Sequence, residues 1–234
     1  MHGIIKSAAV SAAFLLATPA FAETRTIELP PFTALDVSSG IDAVVKVGGP
    51  QSVTAEATDK RMLDDLQLKV ENGTLKAYID WSLFDLFSFG HNGIKLTIAV
   101  PSLTRVEASA GADIDADGVT GDALSFNSSS GADLRLTAVA GKSIALNASS
   151  GANIKADGTC ETGKANASSG SDIEVADLLC ATMDANASSG SDLEVHASKS
   201  VKANASSGSD LTVVGNPADV KQESSSGGDV RMEM

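Results

Sequence analysis

The sequence predicts an all-β chain folded as a right-handed parallel β-helix, a solenoid with about 19–20 residues per rung. Three observations carry that reading. One phrase is written seven times between Glu107 and Met234: EASAGADI, NSSSGADL, NASSGANI, NASSGSDI, NASSGSDL, NASSGSDL and ESSSGGDV. Its glycines (Gly111, Gly131, Gly151, Gly170, Gly190, Gly208, Gly227) are 20, 20, 19, 20, 18 and 19 residues apart, a period that belongs to stacked repeats. Within each repeat the apolar positions recur every second residue, as on strands. Such a period holds two or three short strands and their corners, but not the helix of a strand–helix–strand unit, which needs roughly 30 residues. Parallel stacking follows, and the preference for right-handed crossovers sets the expected hand.

The phase of the alternation separates core from surface. After each glycine the inward pairs read Ile114/Ala116, Leu134/Leu136, Ile154/Ala156, Ile173/Val175, Leu193/Val195, Leu211/Val213 and Val230/Met232. Before it, Leu124/Phe126, Ile144/Leu146, Met183/Ala185 and Val201/Ala203 keep the same parity, with Ala148 and Ser150 continuing it. About seven regular rungs are expected. The opposite parity carries Asn, Ser and Asp, which stacking would align into ladders along one long face.

Residues 1–22 read as an export leader: Lys6 gives a positive start, Ala8 to Ala17 an apolar run, and Ala20-Phe21-Ala22 a cleavage site. The apolar run is too short to span a bilayer. A periplasmic, cell-surface or secreted location is therefore expected, with Glu23 as the mature N-terminus. The chain carries 17 Lys and Arg against 30 Asp and Glu, a formal charge of −13. That balance excludes nucleic acid and anionic membrane as natural partners, since both are bound through Lys and Arg. Cys160 and Cys180 each lie six residues before a repeat asparagine, Asn166 and Asn186. They would face one another on consecutive rungs, within disulfide reach; a rung-to-rung bond and two buried free thiols are the two readings.

Residues 23–106 form a less regular half. Ser38-Ser39-Gly40-Ile41-Asp42 is an early copy of the rung phrase. Asp59 to Leu66 is the one helical stretch, with Thr58 or Asp59 as cap, and Asn72-Gly73 marks a tight hairpin. Pro101-Ser102-Leu103 closes the alternating run from Ile94 and leads into the regular rungs at residues 107–234. Gly40-Ile41-Asp42, the two-strand element around Glu71-Asn72-Gly73-Thr74-Leu75, the phrase Ile98-Ala99-Val100-Pro101-Ser102-Leu103 and the Ser/Gly/Asp rungs together resemble the bacterial head GIN domain family, described as putative auto-transporter adhesins. The namesake triplet stands here as Gly40-Ile41-Asp42. The resemblance spans nearly all of the mature chain and implies a right-handed parallel β-helix and an adhesin-like role.

Two sets of residues are candidate binding elements. The first is the Asp ladder, Asp113, Asp133, Asn153, Asp172, Asp192, Asp210 and Asp229, of which Asp133, Asp172, Asp192 and Asp210 are the chosen binding positions. It reads either as a row of oxygen ligands for Ca²⁺ or as carboxylates bonding local backbone amides at a corner; the second needs no metal. The second set is the aromatic loop 78–92, where Trp81, Phe84, Phe87 and Phe89 interrupt the strand pattern. It either caps the coil or grips a partner. Asn127, Asn147, Asn166, Asn186 and Asn204 spell glycosylation sequons but are expected to form an amide ladder.

No catalytic residue, metal ligand set or cofactor is assigned. His91 and His196 have no zinc-spaced neighbours, and His196 reads as a solvated imidazole. The expected function is a non-catalytic, adhesin-like cell-envelope module binding a protein or glycan. Its alternative is a carbohydrate-binding or carbohydrate-active β-helix using the Asp/Ser face, with Ca²⁺ dependence in one version. Self-association through the solenoid ends or the aromatic loop is a further expectation, because the last rung at Asp229–Met234 presents an edge that only Arg231 and Glu233 would blunt.

Overall fold

The computed structural model describes residues 23–80 and 93–233. Strands make up 68% of it and helix 3%, and the parallel strands build a β-solenoid of about six turns. The expected seven rungs overcount. Each copy of the phrase is a corner, and seven corners bound six intervals.

One turn shows why the sequence folds this way. Asp133–Ser149 is paired as strand throughout. Leu134 and Leu136 are buried while Asp133 and Arg135 are exposed, the alternation of a pleated strand with one wet face. A first bend lies at Ala138, which has positive φ. A second lies at Lys142 and Ser143, two consecutive outward side chains, after which Ile144, Leu146 and Ala148 point inward again. The turn therefore has a charged face, a short face and an Asn/Ser face around one apolar core.

The third corner is the repeated phrase itself. Ser150 and Gly151 take φ of 58° and 70°, and the corresponding Ser/Gly pairs behave alike from Ser39-Gly40 to Ser226-Gly227. Two successive left-handed residues turn the chain sharply, and glycine enters that region at no steric cost. The inward series skips one place here, so Ser150 is exposed, and resumes in the same phase at Ala152. Buried hydroxyls fasten four of these corners; at Ser130-Gly131 it is Ser128 Oγ, which donates to Ala132 O at 2.7 Å, and at three others a serine just after the glycine. Ser171 Oγ donates to Ala148 O on the preceding rung and accepts from Ser168 N–H, and Ser191 and Ser209 repeat both bonds. These serines stand on the inward parity, two residues before Ile173, Leu193 and Leu211, in the place held by Ala112, Ala132 and Ala152 elsewhere.

The irregular half departs from sequential stacking. Strands Ala34–Val37 and Asp42–Val47 pair on one side with Thr74–Ile79 and Ile94–Val100, and on the other with Arg105–Ala108 and Asp113–Asp117. The rung written first thus lies between two rungs written later. The Pro101-Ser102-Leu103-Thr104 link carries the chain past it: Leu103 is fully buried and Thr104 N–H donates to Thr33 O at 2.9 Å. Beyond lies an antiparallel cap, comprising the hairpin Leu66–Glu71 and Thr74–Ile79 turned at Asn72-Gly73, and strands Glu23–Thr26 and Ser52–Ala57. The helix Lys60–Asp65 is capped by Asp59, whose side chain accepts from Arg61 N–H.

The core narrows along the axis, from Leu124 and Phe126 to Ala165, Ala185 and Ala203. In the last rung Gln222 and Ser224 stand in register with the buried Ala203 and Ala205, so polar groups occupy inward positions there. Val220 and Met232 are 43% and 38% exposed. Cys160 and Cys180 lie opposite one another with Cα atoms 4.4 Å apart, joined by a disulfide.

Rung length drops from 20 to 19 residues at the first bend, where pairing shifts between Leu136 and Val139. Gly158 sits against this bulge with φ of 134°, and a Cβ added there would lie 1.9 Å from Val139 O. At Gly131 the added Cβ would meet nothing within 4 Å. Gly131→Ala should therefore cost about 1–2 kcal/mol, the left-handed penalty alone, and Gly158→Ala clearly more; chemical denaturation of the two variants measures the difference.

Candidate functional site

Register turns the outward residues into columns. On the charged face one column reads Asp42, Asp113, Asp133, Asn153, Asp172, Asp192, Asp210 and Asp229. Asp42 of the early Gly-Ile-Asp copy is its first member, a position that the Ser39-Gly40 signal could have added to the ladder from sequence. Two residues along each strand, a second column reads Val44, Asp115, Arg135, Lys155, Glu174, Glu194, Thr212 and Arg231. The structure thus brings Asp133, Asp172, Asp192 and Asp210 into one line and sets mixed charges beside them.

The carboxylates are exposed, and their partners differ along the line. Asp133 accepts from Asn153 Nδ2 at 2.7 Å. Arg231 reaches Asp229 at 2.9 Å and Asp210 at 3.8 Å, and Lys155 pairs with Glu174 at 2.9 Å. Exposed pairs of this kind are worth about 0–1 kcal/mol each. The corner hydrogen bonds expected of the aspartates are made instead by the buried serines. Among the described residues no three His, Cys, Asp or Glu side chains converge as a metal site would require. A shallow depression of about 450 Å³ runs over Asp113, Asp133, Asn153 and Asp172 without enclosing them.

The ladder is tightest at its head. Burial, then the charges of Asp133, Asp42 and Asp115, hold the Asp113 carboxyl above its ordinary range, while the backbone N–H of Asp133 opposes them.

The Asn/Ser face is ordered differently. Asn147 Nδ2 donates to Asn127 Oδ1 at 2.8 Å, Asn166 to Asn147 at 2.8 Å, Asn186 to Asn166 at 3.1 Å and Asn204 to Asn186 at 2.8 Å. This is the amide ladder the sequence leads one to expect, and its members are half-buried. Each amide keeps an acceptor lone pair, and all but Asn186, whose second N–H goes to Asp184 Oδ1 at 3.2 Å, keep one N–H for an outside partner. Residues two before the asparagines are Ser125, Ala145, Lys164, Asp184 and Lys202, so this face is close to neutral.

The aromatic binding candidates Trp81, Phe84, Phe87 and Phe89, with His91, lie outside the described residues, as does the leader 1–22. The flanking Tyr78 is described, and Lys69 Nζ donates to its hydroxyl at 2.9 Å. His196 is half-buried, not solvated as expected, and its Nδ1 is enclosed without a partner. Gly215 leaves room for the ring, since a Cβ there would lie 2.6 Å from Nε2. No helix among the described residues is long and apolar enough to cross a membrane.

The family model described as "Putative auto-transporter adhesin, head GIN domain" matches residues 31–217. The chain belongs to this family. Within this head GIN chain, the matched span starts just before the first-written rung and ends at Pro217, inside the last turn, between the corners at Gly208 and Gly227. A "putative adhesin" from Bacteroides fragilis NCTC 9343 superposes with a TM-score of 0.81 at 18% identity, covering 92% of this chain and 97% of that one. A "putative lipid binding protein" from Parabacteroides distasonis ATCC 8503 gives 0.69 at 16% identity, covering 92% and 98%. A "putative adhesin" from Parabacteroides merdae ATCC 43184 gives 0.68 at 15%, again covering 92% and 98%. At these identities the likeness is one of fold. No curated protein matches the chain.

Two measurements test the ladders. Ionised Asp113 disfavours the folded state, so stability is highest below the ordinary aspartate pKa, where folded and unfolded chains both hold the proton, and falls as pH rises through the raised folded value. Asp113→Asn should accordingly raise Tm at pH 7 and leave it unchanged near pH 3. Asn166→Ala removes two ladder bonds at once and should cost about 1–3 kcal/mol, whereas Ser149→Ala, which breaks no side-chain bond, should cost less than about 0.5 kcal/mol.

Proposed function

We propose that this chain is a non-catalytic, exported cell-envelope module of adhesin type, whose rigid solenoid presents its polar columns to a protein or glycan partner. The observation that carries the reading is the in-register line of Asp133, Asp172, Asp192 and Asp210 on an open face. Binding groups fixed at regular intervals on a rigid scaffold lose little entropy when a repetitive partner lies along them. The family membership supports the adhesin-like role and, with it, an envelope location. The openness of the face supports recognition over catalysis, because hydrolytic chemistry on glycans needs two carboxylates flanking one bond within a cleft.

A glycan is favoured as partner by one further observation. The Asn ladder offers a spare acceptor on every rung, and a spare donor on every rung but that of Asn186, on a nearly neutral face, which an uncharged sugar polymer can approach without opposing the acidity of the protein. The Trp81–Phe89 loop is the second proposed contact, through aromatic anchoring.

Labelled mature protein, residues 23–234, bound to isolated envelopes provides the test. Asp172→Ala, Asp192→Ala and Asp210→Ala together should weaken binding at least tenfold with folding intact by circular dichroism. Unchanged binding by this triple variant would remove the Asp column from the reading. Loss on Trp81→Ser with Phe84→Ser would assign the contact to the loop, and loss on chelation with EDTA would favour the Ca²⁺-dependent alternative.

A further inference from the structure

Two neighbouring columns of the core are complementary. Gly121, Gly141, Cys160 and Cys180 lie in register on four consecutive rungs, and three residues later Leu124, Ile144, Gly163 and Met183 do the same. In the first two rungs the aliphatic side chain reaches back over the glycine. A Cβ on Gly121 would meet Leu124 Cδ2 at 3.0 Å, and one on Gly141 would meet Ile144 Cγ1 at 2.9 Å. The Cys160 rung reverses the order: the aliphatic is replaced by Gly163, and the bulk stands at position 160.

The space a side chain at 163 would use is already occupied. A Cβ there would lie 2.5 Å from Met183 Cε, 2.8 Å from its Sδ and 3.2 Å from Cys180 Sγ. Cys160 and Cys180 are 8% and 1% exposed. Their sulfurs and the thioether of Met183 together fill what Leu124 and Ile144 fill elsewhere. Apart from Ile154 the rest of the rung has little apolar volume to offer, since its other inward residues are Ala156, Ala165 and Ala167.

We propose that the Cys160–Cys180 disulfide is a redox-controlled plug of the solenoid core. The rungs from residue 153 to 188 close fully only when the two thiols are oxidised. Unbonded sulfurs must move apart to van der Waals distance, and the thioether of Met183 already fills the space over Gly163 beside them. Reduction therefore dislodges the packing around Gly163 and loosens the middle of the coil. Closure proceeds by thiol–disulfide exchange with an external disulfide of the small-molecule or protein oxidant class. One cysteine thiolate attacks it and expels one external thiolate; the second thiolate then displaces the other. The two protein thiols give up two protons and two electrons, and the external disulfide becomes two thiols. An oxidising compartment thus completes the fold, and a reducing one holds it incomplete.

The test compares oxidised and dithiothreitol-reduced mature protein by hydrogen exchange and thermal melting. Reduction should lower Tm by about 10 °C, with lost amide protection concentrated in residues 153–188 and the rungs before residue 140 unchanged. Cys160→Gly with Cys180→Gly should reproduce that pattern without reductant. Adding Gly163→Ile to this pair restores the glycine-then-aliphatic order of the preceding rungs, and should recover protection and remove sensitivity to reductant. The proposal is overturned if the reduced protein keeps its protection and Tm. It is overturned equally if Gly163→Ile fails to recover protection, because the bond would then act as a cross-link and not as core volume.

Discussion

The fold depends on one hydrogen bond repeated at the glycine corners from Gly40 to Gly190. At these corners the glycine N–H donates to the carbonyl of the residue just before the corresponding glycine on the neighbouring rung, as Gly111 does to Ser130, Gly151 to Ser169 and Gly190 to Ser207, at 3.1–3.2 Å. Two left-handed residues in succession swing that N–H out of its own turn and along the stacking axis. Register is thereby fixed at the corner and inherited by the strands. A slip of one residue would turn every inward side chain outward, so the corner sets both the core and the surface.

From fixed register come the columns, and the columns differ in how they satisfy themselves. The Asn column bonds internally and is half-buried, so it stabilises the stack while keeping some capacity for outside partners. The Asp column cannot bond internally, because ionised carboxylates only accept. It is relieved in places by Asn153 and Arg231, and carries its greatest strain where Asp42, Asp113, Asp115 and Asp133 meet. A stack under no selection for its surface could have used serine or threonine along that line. Keeping carboxylates against this repulsion is consistent with a recognition face.

Much of this was legible in the sequence because a repeat states its own register. Seven copies of one phrase, alternation with period two and the Asn72-Gly73 turn were enough for the solenoid, the inward residues, the amide ladder and the cap hairpin. The illegible parts are those where neighbours on different rungs decide. Ser171 and Ser191 look like surface residues of a polar phrase, and only the stacked corner shows their hydroxyls reaching Ala148 and Ala167 on the preceding rung. His196 looked solvated because a single sequence cannot reveal that Gly215, one rung on, opens a recess for it. The position of the first-written rung was hidden as well, since local pattern says which segments are strands but not which strand each one will meet.

That rung order bears on how the chain reaches its native state. Ala34–Val47 buries one edge against Thr74–Val100 and the other against Arg105–Asp117. Its contacts therefore span roughly 40 to 70 residues, whereas each later turn adds onto the one before it within about 20. Closing long loops is slow relative to local pairing. The irregular half thus carries the long-loop closures of the coil, complete only once residue 117 is available to it, whereas every later turn can be added locally, like a zipper whose first tooth must be set by hand.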